Sequence, residues 1–483
     1  ISISLLLIID LGVYCNDSKT MFKMTLAEKL PLKKNIVFFL IDGLRADQVY
    51  GNDRTCKTPN IDSLIQKGMY FEQAASSADG TIISLNTMFS SNFQVAHAVK
   101  YQKIVLNENN LINILKKNGY HVYGIFPKLT SFNSLRECFE NENNNYDWIE
   151  PNIPSETLPT GLAKKIIQLL ESKKQGPCFY YFHILDLHPL REGRKPIGIE
   201  NFDNEKFGLS LYERTVSSID FWLGKILEHV DMNDIIILTA DHGERIPHGG
   251  FREVDFEPKL EHTVDFGKKL LPKSAHKIGG QFLSNIRKSV GKRKLNRSNQ
   301  KLTNCQKRSR DPYYTLSLFD EMIHVPLLFA GNLIKPRVIT KQVRHIDIFP
   351  TICELLDIPL DVKISGKSLV SLANESLQEE NPNYLHTMPY QKLSPLDMVG
   401  LRTSKYKYFR AARNLKENVN LYDLRKDPQE NNNIAKNHPL IVKDMEKILS
   451  EISSYSSKEL EPEEISKDEE EKIRKELKKL GYM

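Results

Sequence analysis

The sequence predicts an α/β fold in which a mostly parallel sheet is flanked by helices, with a small α+β part near the C-terminus. Short apolar runs alternate with longer stretches of helical spacing, and 483 residues are enough for one large domain and an appendage. The predicted strands lie near residues 36–41, 121–126, 178–183, 235–240 and 325–330. The predicted helices lie near residues 58–68, 107–118, 160–174, 207–230 and 343–357.

Carboxylates follow two of the predicted strands. Asp42 ends the apolar run 35–41, and Asp241 with His242 ends the run 234–240. Open α/β sheets place their sites just beyond the carboxyl ends of such strands, so the two strands can supply opposite sides of one metal site. Asp42 could instead cap the following helix, and an Asp-His pair also occurs as a plain hydrogen-bonded turn.

Between these two strands, Thr81 follows Gly80 and opens a segment with apolar residues at helical spacing. A Thr at a helix N-terminus can simply be a cap. Beside metal-binding carboxylates it is also where a nucleophile would lie, because a metal stabilises the alkoxide and the helix dipole favours an anionic ester. Both interpretations of Thr81 stay open at this point.

Together these segments resemble the sulfatase branch of the alkaline phosphatase superfamily, and the resemblance covers most of the chain. Residues 42–47 resemble the family's first metal-binding turn, and residues 58–71 resemble its TPNLD helix and the segment after it. The other matches, in the family's order, are residues 81–91, 183–189, 212–220, 241–249, 318–327, 345–351, 366–369 and 421–428. The resemblance implies an alkaline-phosphatase-like fold, ester hydrolysis or transfer, and a divalent metal.

Departures from the family pattern bear most on function. Sulfatases of this family carry a Cys or Ser that is oxidised to formylglycine, whereas this chain has Thr81, which cannot form that aldehyde. Leu85 stands in the place of the motif's Arg, Ile83 in the place of its Pro, and Gly43 where many members have a second acidic ligand. A Thr nucleophile resembles the phosphoethanolamine and phosphoglycerol transferases and related phosphodiesterases, which implies phosphate rather than sulfate esters.

The residues left for a metal are Asp42, Thr81, Asp241 and His242. Three oxygens and one nitrogen suit one Zn²⁺ or Mn²⁺ ion better than Ca²⁺ or Mg²⁺. We predict that the metal lowers the pKa of the Thr81 hydroxyl and that the alkoxide attacks phosphorus. The resulting covalent phospho-threonine would pass to water or to an acceptor alcohol.

Besides His242, three histidines lie in the matching segments 183–189 and 241–249. His188 and His248 are candidates to hold the non-bridging oxygens or to protonate the leaving group. His248 could equally be a histidine of a surface loop. His183 is expected to pack within its strand rather than to touch substrate.

Arg45 and Asp186 are the candidate substrate-binding residues. Asp186 lies in the segment that resembles the family's DPHxPY strand end. Arg45 could stabilise anionic charge on the substrate, but a salt bridge to Asp47 or Glu244 explains this arginine equally well.

Composition and resemblance divide the chain into four regions. They are a leader or anchor remnant (1–33), the catalytic domain (34–394, with a basic insertion at 251–312), a small C-terminal subdomain (395–455) and a charged helical tail (456–483). The tail has Ile473, Leu477 and Leu480 at helical spacing, which predicts an amphipathic helix that is docked or lies at a partner interface.

The basic insertion has no acidic residue between positions 266 and 310. It is either a solvated loop or a lid or electrostatic guide for an anionic lipid surface or a polyanionic substrate. Nucleic acid is disfavoured because Phe266 and Phe282 are the only aromatic residues in this stretch. We therefore expect an anionic ester substrate, with lipid and glycan head groups as candidates and a membrane surface as a candidate contact.

The start of the chain and its cysteines add little. The apolar stretch 1–14 is interrupted by Asp10 and is too short to span a bilayer, and Met21 or Met24 are alternative starts. With the basic insertion, this start favours a membrane-associated or extracytoplasmic protein over a cytoplasmic one. The six cysteines form no CxxC pairs and predict neither a zinc-thiolate site nor a disulfide framework.

Three classes of function stay open from the sequence. The first is a phosphoester hydrolase or phosphodiesterase with Thr81 as nucleophile, with a sulfatase as a less favoured relative. The second is a transferase that passes the phospho group to an alcohol. The third is a binding protein that kept the fold and lost turnover.

Overall fold

The computed structural model describes residues 34–94, 103–147, 156–172, 174–191, 194–245, 302–310, 317–374, 380–388, 397–456 and 466–479. The proposed leader, His248 and most of the basic insertion lie outside these ranges. The strands are β1 (Ile36–Ile41), β2 (Met69–Ala75), β3 (His121–Pro127), β4 (Asn145–Tyr146), β5 (Cys178–Ile184), β6 (Ile235–Thr239), β7 (Leu327–Ala330), β8 (Arg337–Arg344), β9 (Asn383–His386), β10 (Met398–Arg402), β11 (Tyr406–Ala411) and β12 (Asn420–Asp423).

The α-helices alternate with the strands through the first three quarters of the chain. They are α1 (Pro59–Lys67), α2 (Thr81–Ser90), α3 (Leu111–Lys117), α4 (Asn133–Arg136), α5 (Leu162–Glu171), α6 (His188–Arg191), α7 (Leu211–Leu227), α8 (Asn304–Arg310), α9 (Asp320–Ile323), α10 (Ile348–Leu355), α11 (Pro439–Ser456) and α12 (Lys467–Lys479). Short 3-10 turns include Thr130–Phe132, Leu158–Thr160 and His345–Asp347. Among the described helices, none is long and apolar enough to cross a membrane.

The large sheet has the strand order β4-β3-β5-β1-β6-β7-β2-β8. All neighbouring strands are parallel except β7, which runs antiparallel to both β6 and β2. Every residue of β1, β5 and β6 is buried, which requires helices on both faces of the sheet. The predicted mostly parallel sheet flanked by helices is confirmed, and each predicted strand and helix has an observed counterpart.

Two sets of helices cover this sheet. Helix α7 packs against α1 and α5, whereas α2 packs against α3 and α10. Helix α7 begins with a capping box in which Ser210 and Glu213 exchange hydrogen bonds, so its first turn is satisfied locally. Helix α2 differs from the others because all ten of its residues are buried. Such a helix belongs to the core, which fixes the position of Thr81 at its first turn.

The C-terminal part contains a separate antiparallel sheet in the order β12-β11-β10-β9. Helix α11 packs on this sheet, and its apolar face contributes Met445 and Leu449 to a core shared with Tyr408 and Leu421. The predicted small C-terminal subdomain is therefore present. Strand β9 lies before residue 395 and pairs with β10, while the domain boundaries themselves stay a prediction.

Candidate active site

The ends of two adjacent parallel strands and the start of one helix bring the predicted metal ligands together. The strands lie in the order β5-β1-β6, so Asp42 after β1 lies beside Asp241 and His242 after β6. Thr81 reaches the same place from the first turn of α2. The four side chains predicted as ligands are all buried and converge at one edge of the sheet.

Short distances connect these four side chains. The Thr81 hydroxyl donates to Asp42 Oδ2 at 3.1 Å, and its oxygen lies 3.4 Å from His242 Nε2. His242 Nε2 is 3.6 Å from Asp241 Oδ2 and 3.9 Å from Asp42 Oδ1. The hydroxyl is thus close to both the carboxylate of the first strand and the imidazole of the second.

His183 joins the cluster, and the sequence analysis missed it as a ligand. It is fully buried in β5, as expected, yet its Nε2 lies 3.8 Å from Asp42 Oδ2. One ligand atom each of Asp42, His183 and Asp241 lie within 4.8 Å of one another. The strand register explains this: His183 pairs with Leu40, so it lies on the same face of the sheet as Asp42, which is two residues further along β1.

The donor set fits a divalent cation. His183 Nε2 and Asp241 Oδ2 are buried and have no hydrogen-bond partner among the residues that the structure describes. Within the same residues, the ion pairs of Asp42 and Asp241 are made with imidazoles rather than with Lys or Arg. Buried carboxylates without a cationic partner are costly, and a bound metal ion supplies the missing positive charge.

The pKa values of the cluster also indicate that its two carboxylates favour a positive charge nearby. Burial alone would raise the pKa of Asp42, but His242 and His183 hold it well below its usual range. Burial and the charge of Asp42 raise the pKa of Asp241. Burial would lower the pKa of His242, yet the carboxylates of Asp241 and Asp42 raise it. The two carboxylates therefore favour positive charge at His242.

The turn that carries His242 is held by the backbone. The Nδ1 of His242 lies 2.7 Å from the Gly243 carbonyl oxygen, which can only accept, so Nδ1 carries a proton and Nε2 faces the cluster. The Gly243 N–H donates to the Met322 carbonyl at 2.7 Å. A side chain at position 243 would collide with the carbonyl oxygen of Glu321, so only glycine fits there.

The N-terminus of α2 depends on a glycine as well. A Cβ at Gly80 would come within 2.9 Å of Met388 Sδ, so the segment from 380 to 388 packs directly on the helix start. Asp79, just before it, accepts the N–H groups of Ser317 and Met388 at 2.7 and 2.9 Å. Burial raises the pKa of Asp79 to about 6. Asp79 therefore holds two distant chain segments beside Thr81.

The candidate substrate-binding residues have local partners. Arg45 donates from Nε to Asp47 at 2.9 Å and from Nη1 to the Glu244 carbonyl oxygen at 3.4 Å. It therefore makes the salt bridge to Asp47 that the sequence offered as one alternative. The Asp186 carboxylate accepts the N–H of Leu158 at 3.0 Å, and burial raises its pKa to about 7. Their roles in substrate binding stay predictions.

Helix α6 places two further groups near the cluster. His188 is buried at its first position, and its charge lowers the pKa of Asp42. Arg191 lies one turn further, and its charge acts on the pKa values of both Asp79 and His242. Neither Arg191 nor Asp79 belongs to a motif that the sequence analysis used, and no signal in the sequence marks them.

A family model described as Sulfatase matches residues 34–358. A second model, described as N-sulphoglucosamine sulphohydrolase, C-terminal, matches residues 313–455. Among curated relatives, Arylsulfatase K from Gallus gallus is 32% identical over 151 residues, which is 30% of this chain and 28% of that protein. Arylsulfatase K from Homo sapiens is 29% identical over 150 residues, again 30% and 28% of the two chains. These alignments span less than a third of either relative.

Solved structures share the fold at low identity. The phosphonate monoester hydrolase of Agrobacterium radiobacter has a TM-score of 0.59 and 16% identity, covering 88% of this chain and 96% of that one. A 2-O GAG sulfatase has a TM-score of 0.59 and 18% identity, covering 88% and 93%. A third structure, in complex with its substrate D-glucosamine-2-N,6-O-disulfate, has a TM-score of 0.57 and 14% identity, covering 88% and 99%. The similarity confirms the predicted alkaline-phosphatase-like fold.

Proposed function

The chain belongs to the sulfatase family, and we propose that it is an ester hydrolase that acts on phosphate esters with Thr81 as nucleophile. The observation that carries this proposal is the position of the Thr81 hydroxyl, 3.1 Å from Asp42 Oδ2 and 3.4 Å from His242 Nε2. The hydroxyl is also at the first turn of the ten-residue helix α2, where the helix dipole favours an anion.

The residues that would hold the metal are Asp42, Thr81, Asp241 and His242, with His183 as an additional nitrogen donor. Two imidazoles beside two carboxylates favour Zn²⁺ or Mn²⁺ over Ca²⁺ and Mg²⁺, which prefer all-oxygen sites. When bound, a divalent ion supplies positive charge that lowers the pKa of the Thr81 hydroxyl and stabilises the charge that develops on the ester oxygens.

The chain's own residues account for both halves of the reaction. Thr81 would lose its proton to water, and its oxygen would attack phosphorus as the bond to the leaving alcohol breaks. His188, buried at the start of α6, is the proposed donor of a proton to the leaving oxygen. A water molecule would then give a proton back to the same imidazole and attack the phospho-threonine, which releases phosphate and leaves Thr81 as the alkoxide; this oxygen attacks the next ester or takes its proton back from water. An alcohol in place of water would make the protein a transferase.

The side chain of Thr81 argues against the formylglycine route to sulfate hydrolysis. The β-carbon of threonine carries a methyl group, so its oxidation would give a ketone and not the aldehyde that this route needs. In addition, Leu85 is fully buried and uncharged where the family motif has Arg. A direct Thr nucleophile suits a phosphoryl group, which accepts in-line attack and forms a stable covalent ester.

Sulfate esters are the second candidate class of substrate. The observation in their favour is the 32% identity to Arylsulfatase K over 151 residues. Two structural neighbours are a GAG sulfatase and a protein bound to a disulfated glucosamine, which suggests an anionic glycan group for either ester class. On this alternative, Thr81 would bind the metal without being converted to an aldehyde.

Hydrolysis assays with matched substrates test the proposal. The purified protein, loaded with Zn²⁺ or Mn²⁺, is given 4-nitrophenyl phosphate, bis-4-nitrophenyl phosphate and 4-nitrophenyl sulfate, each with and without glycerol as acceptor. We expect turnover of a phosphate ester, its loss in Thr81→Ala and partial activity in Thr81→Ser, which keeps the hydroxyl. Turnover of the sulfate ester alone, or full phosphatase activity of Thr81→Ala, would overturn it. A glycerol phosphate product would identify a transferase.

A further inference from the structure

We propose that Glu476, on the C-terminal helix α12, is a positioning residue for the active site. It acts through the 3-10 turn Thr130–Phe132, which contacts both His183 and the chain segment bound to α2. The proposal rests on the proposed metal site but not on the identity of the ester.

The first step is the docking of α12. Glu476 accepts two hydrogen bonds from Thr130, one from its backbone N–H at 2.8 Å and one from its hydroxyl at 2.6 Å. Ile473, three residues earlier and therefore on the same face of the helix, is completely buried. A carboxylate that binds both donors of one residue fixes the first position of the turn more tightly than a single neutral hydrogen bond does.

The second step runs from the turn to the metal-binding cluster. Phe132 ends the turn, is buried, and meets the His183 ring edge to face with centroids 4.9 Å apart and planes at 83°. In addition, His183 Nδ1 lies 3.1 Å from the Tyr181 hydroxyl. These two contacts set the direction of the ring, and its Nε2 then lies 3.8 Å from Asp42 Oδ2.

The third step connects the same turn to the nucleophile helix. The Ser131 carbonyl accepts the N–H of Ile104 at 3.0 Å. The next residue, Val105, donates its N–H to Asn86 Oδ1 at 2.9 Å. Asn86 is buried in α2, just over one turn from Thr81. The turn therefore supports the cluster from the side of His183 and from the side of Thr81.

These contacts explain why an acidic residue on a surface helix would affect chemistry. Loss of a partner that orients a metal-binding imidazole typically costs about 10–100-fold in metal affinity or activity. A shift of only about 1 Å in a reacting group can cost on the order of 10²-fold in rate. Glu476 is not among the proposed metal ligands and binds Thr130, so its effect on the site would pass through Thr130.

Glu471 provides a matched control on the same helix. It carries the same charge, is exposed, and pairs with Lys475 one turn further along at 3.0 Å. Replacing Glu471 changes the charge and helix propensity of α12 as Glu476→Ala does, but it leaves the contact with Thr130 in place.

The experiment measures the dissociation constant for Zn²⁺ by competition with a chelating dye, in the full-length protein without substrate. We expect Glu476→Ala to weaken Zn²⁺ binding about tenfold or more. Glu476→Gln, which keeps an acceptor oxygen, should restore part of the affinity, and Glu471→Ala should match the wild type. Thr130→Ala, a milder change that keeps the backbone donor, should weaken binding in the same direction by less. Where ester turnover is present, kcat should fall more than KM changes.

The outcomes separate this inference from the proposed function. If Glu476→Ala and Thr130→Ala are folded and bind Zn²⁺ like the wild type, the positioning role is wrong and the metal site stands. If the wild-type chain binds no divalent metal, both fail together. If the protein hydrolyses a different ester from the one proposed, the comparison of Zn²⁺ affinities still holds, because it is measured without substrate.

Discussion

Two buried groups of charged residues differ in how their charges are balanced. The strand-end cluster consists of Asp42, Asp241, His183 and His242. The junction cluster lies where the small sheet meets the large one, and it consists of Asp320, Glu321, Glu430, Arg308, Arg402 and Lys407. Both groups are largely buried, yet only the junction cluster contains Lys and Arg.

In the junction cluster each cation has carboxylate partners at short distance. Arg402 binds both oxygens of Asp320 at 2.9 and 2.7 Å, and Lys407 binds Asp320 at 2.6 Å and Glu430 at 3.1 Å. Arg308, in helix α8, binds both oxygens of Glu321 at 3.0 and 3.2 Å. Three cations thus face three carboxylates, so the formal charges of this group balance within the chain, although Glu430 Oε1 has no hydrogen-bond partner among the described residues and burial raises the pKa of Glu430 to about 7.

The strand-end cluster has carboxylates and imidazoles but, among the described residues, no Lys or Arg ion-paired to Asp42 or Asp241. The comparison teaches that burial and charge alone do not mark a functional site. A buried charged group that is complete within the chain is structural, whereas one that lacks its counter-charge indicates a cation from solution.

The largest expected effect breaks the strand-end cluster at Asp241. Asp241→Asn should lower kcat/KM on the order of 10³-fold, since it removes a metal ligand and the charge that the metal needs. Because burial and Asp42 already raise the pKa of Asp241, we expect the metal-free protein to unfold at the same temperature or a higher one. Steady-state kinetics of the metal-loaded protein checks the loss of kcat/KM. Thermal unfolding in the presence of a chelator checks the stability of the metal-free protein. A clear loss of metal-free stability would contradict the account.

Replacing an Asp by Asn in the junction cluster should instead lower the stability of the protein. Asp320→Asn leaves the fully buried Lys407 and Arg402 without their shared carboxylate, which should cost about 3–5 kcal/mol of unfolding free energy. Urea unfolding of the metal-free protein measures this loss. A change below about 1 kcal/mol would mean that the paired charges do not hold the two sheets together.

Asp186 is a third kind of buried carboxyl. Among the described residues, its hydrogen bonds come from one backbone N–H, that of Leu158. Its folded pKa of about 7 lies above the usual 3.8, so the native state holds more protons than the unfolded state between these values. The stability it contributes is complete at low pH and is lost as the pH rises toward 7. The wild type should lose up to a few kcal/mol of unfolding free energy between pH 4.5 and pH 8 through this group, and Asp186→Asn should lose less. Urea unfolding at several pH values in this range measures the difference. An unchanged slope would rule out the raised pKa.

The smallest expected effect comes from adding charge to the strand-end cluster. Gly43 has φ +74°, and its N–H lies 3.4 Å from Asp241 Oδ1. Gly43→Asp should cost about 1 kcal/mol of stability, since Asp is strained there less than most residues. An added carboxylate should raise the affinity for Ca²⁺ relative to Zn²⁺. Competition titrations with the two ions measure this ratio, and Gly43→Ala controls for the backbone strain.

Much of the site could be predicted from the sequence because the information is local. A buried apolar run followed by a carboxylate identifies a strand end, and two such runs gave Asp42 and Asp241 with His242. Helical spacing after Gly80 placed Thr81 at a helix N-terminus. Each of these inferences needs only neighbours in the chain.

The contacts that the sequence did not reveal depend on which segments are neighbours in the folded chain. His183 belongs to the cluster only because β5 lies beside β1 in register with Leu40. The contact of Phe132 with His183 and that of Glu476 with Thr130 join segments far apart in the chain. The junction cluster is hidden for the same reason, because Arg402 and Asp320 are 82 residues apart.

The amount of divalent metal bound per chain tests the central claim most directly, when it is measured by elemental analysis of the wild type, Asp241→Asn and Asp320→Asn. The account predicts about one ion in the wild type and in folded Asp320→Asn, and little in Asp241→Asn. Equal metal in all three proteins, or none in the wild type, would contradict the claim that the strand-end cluster is completed by a cation.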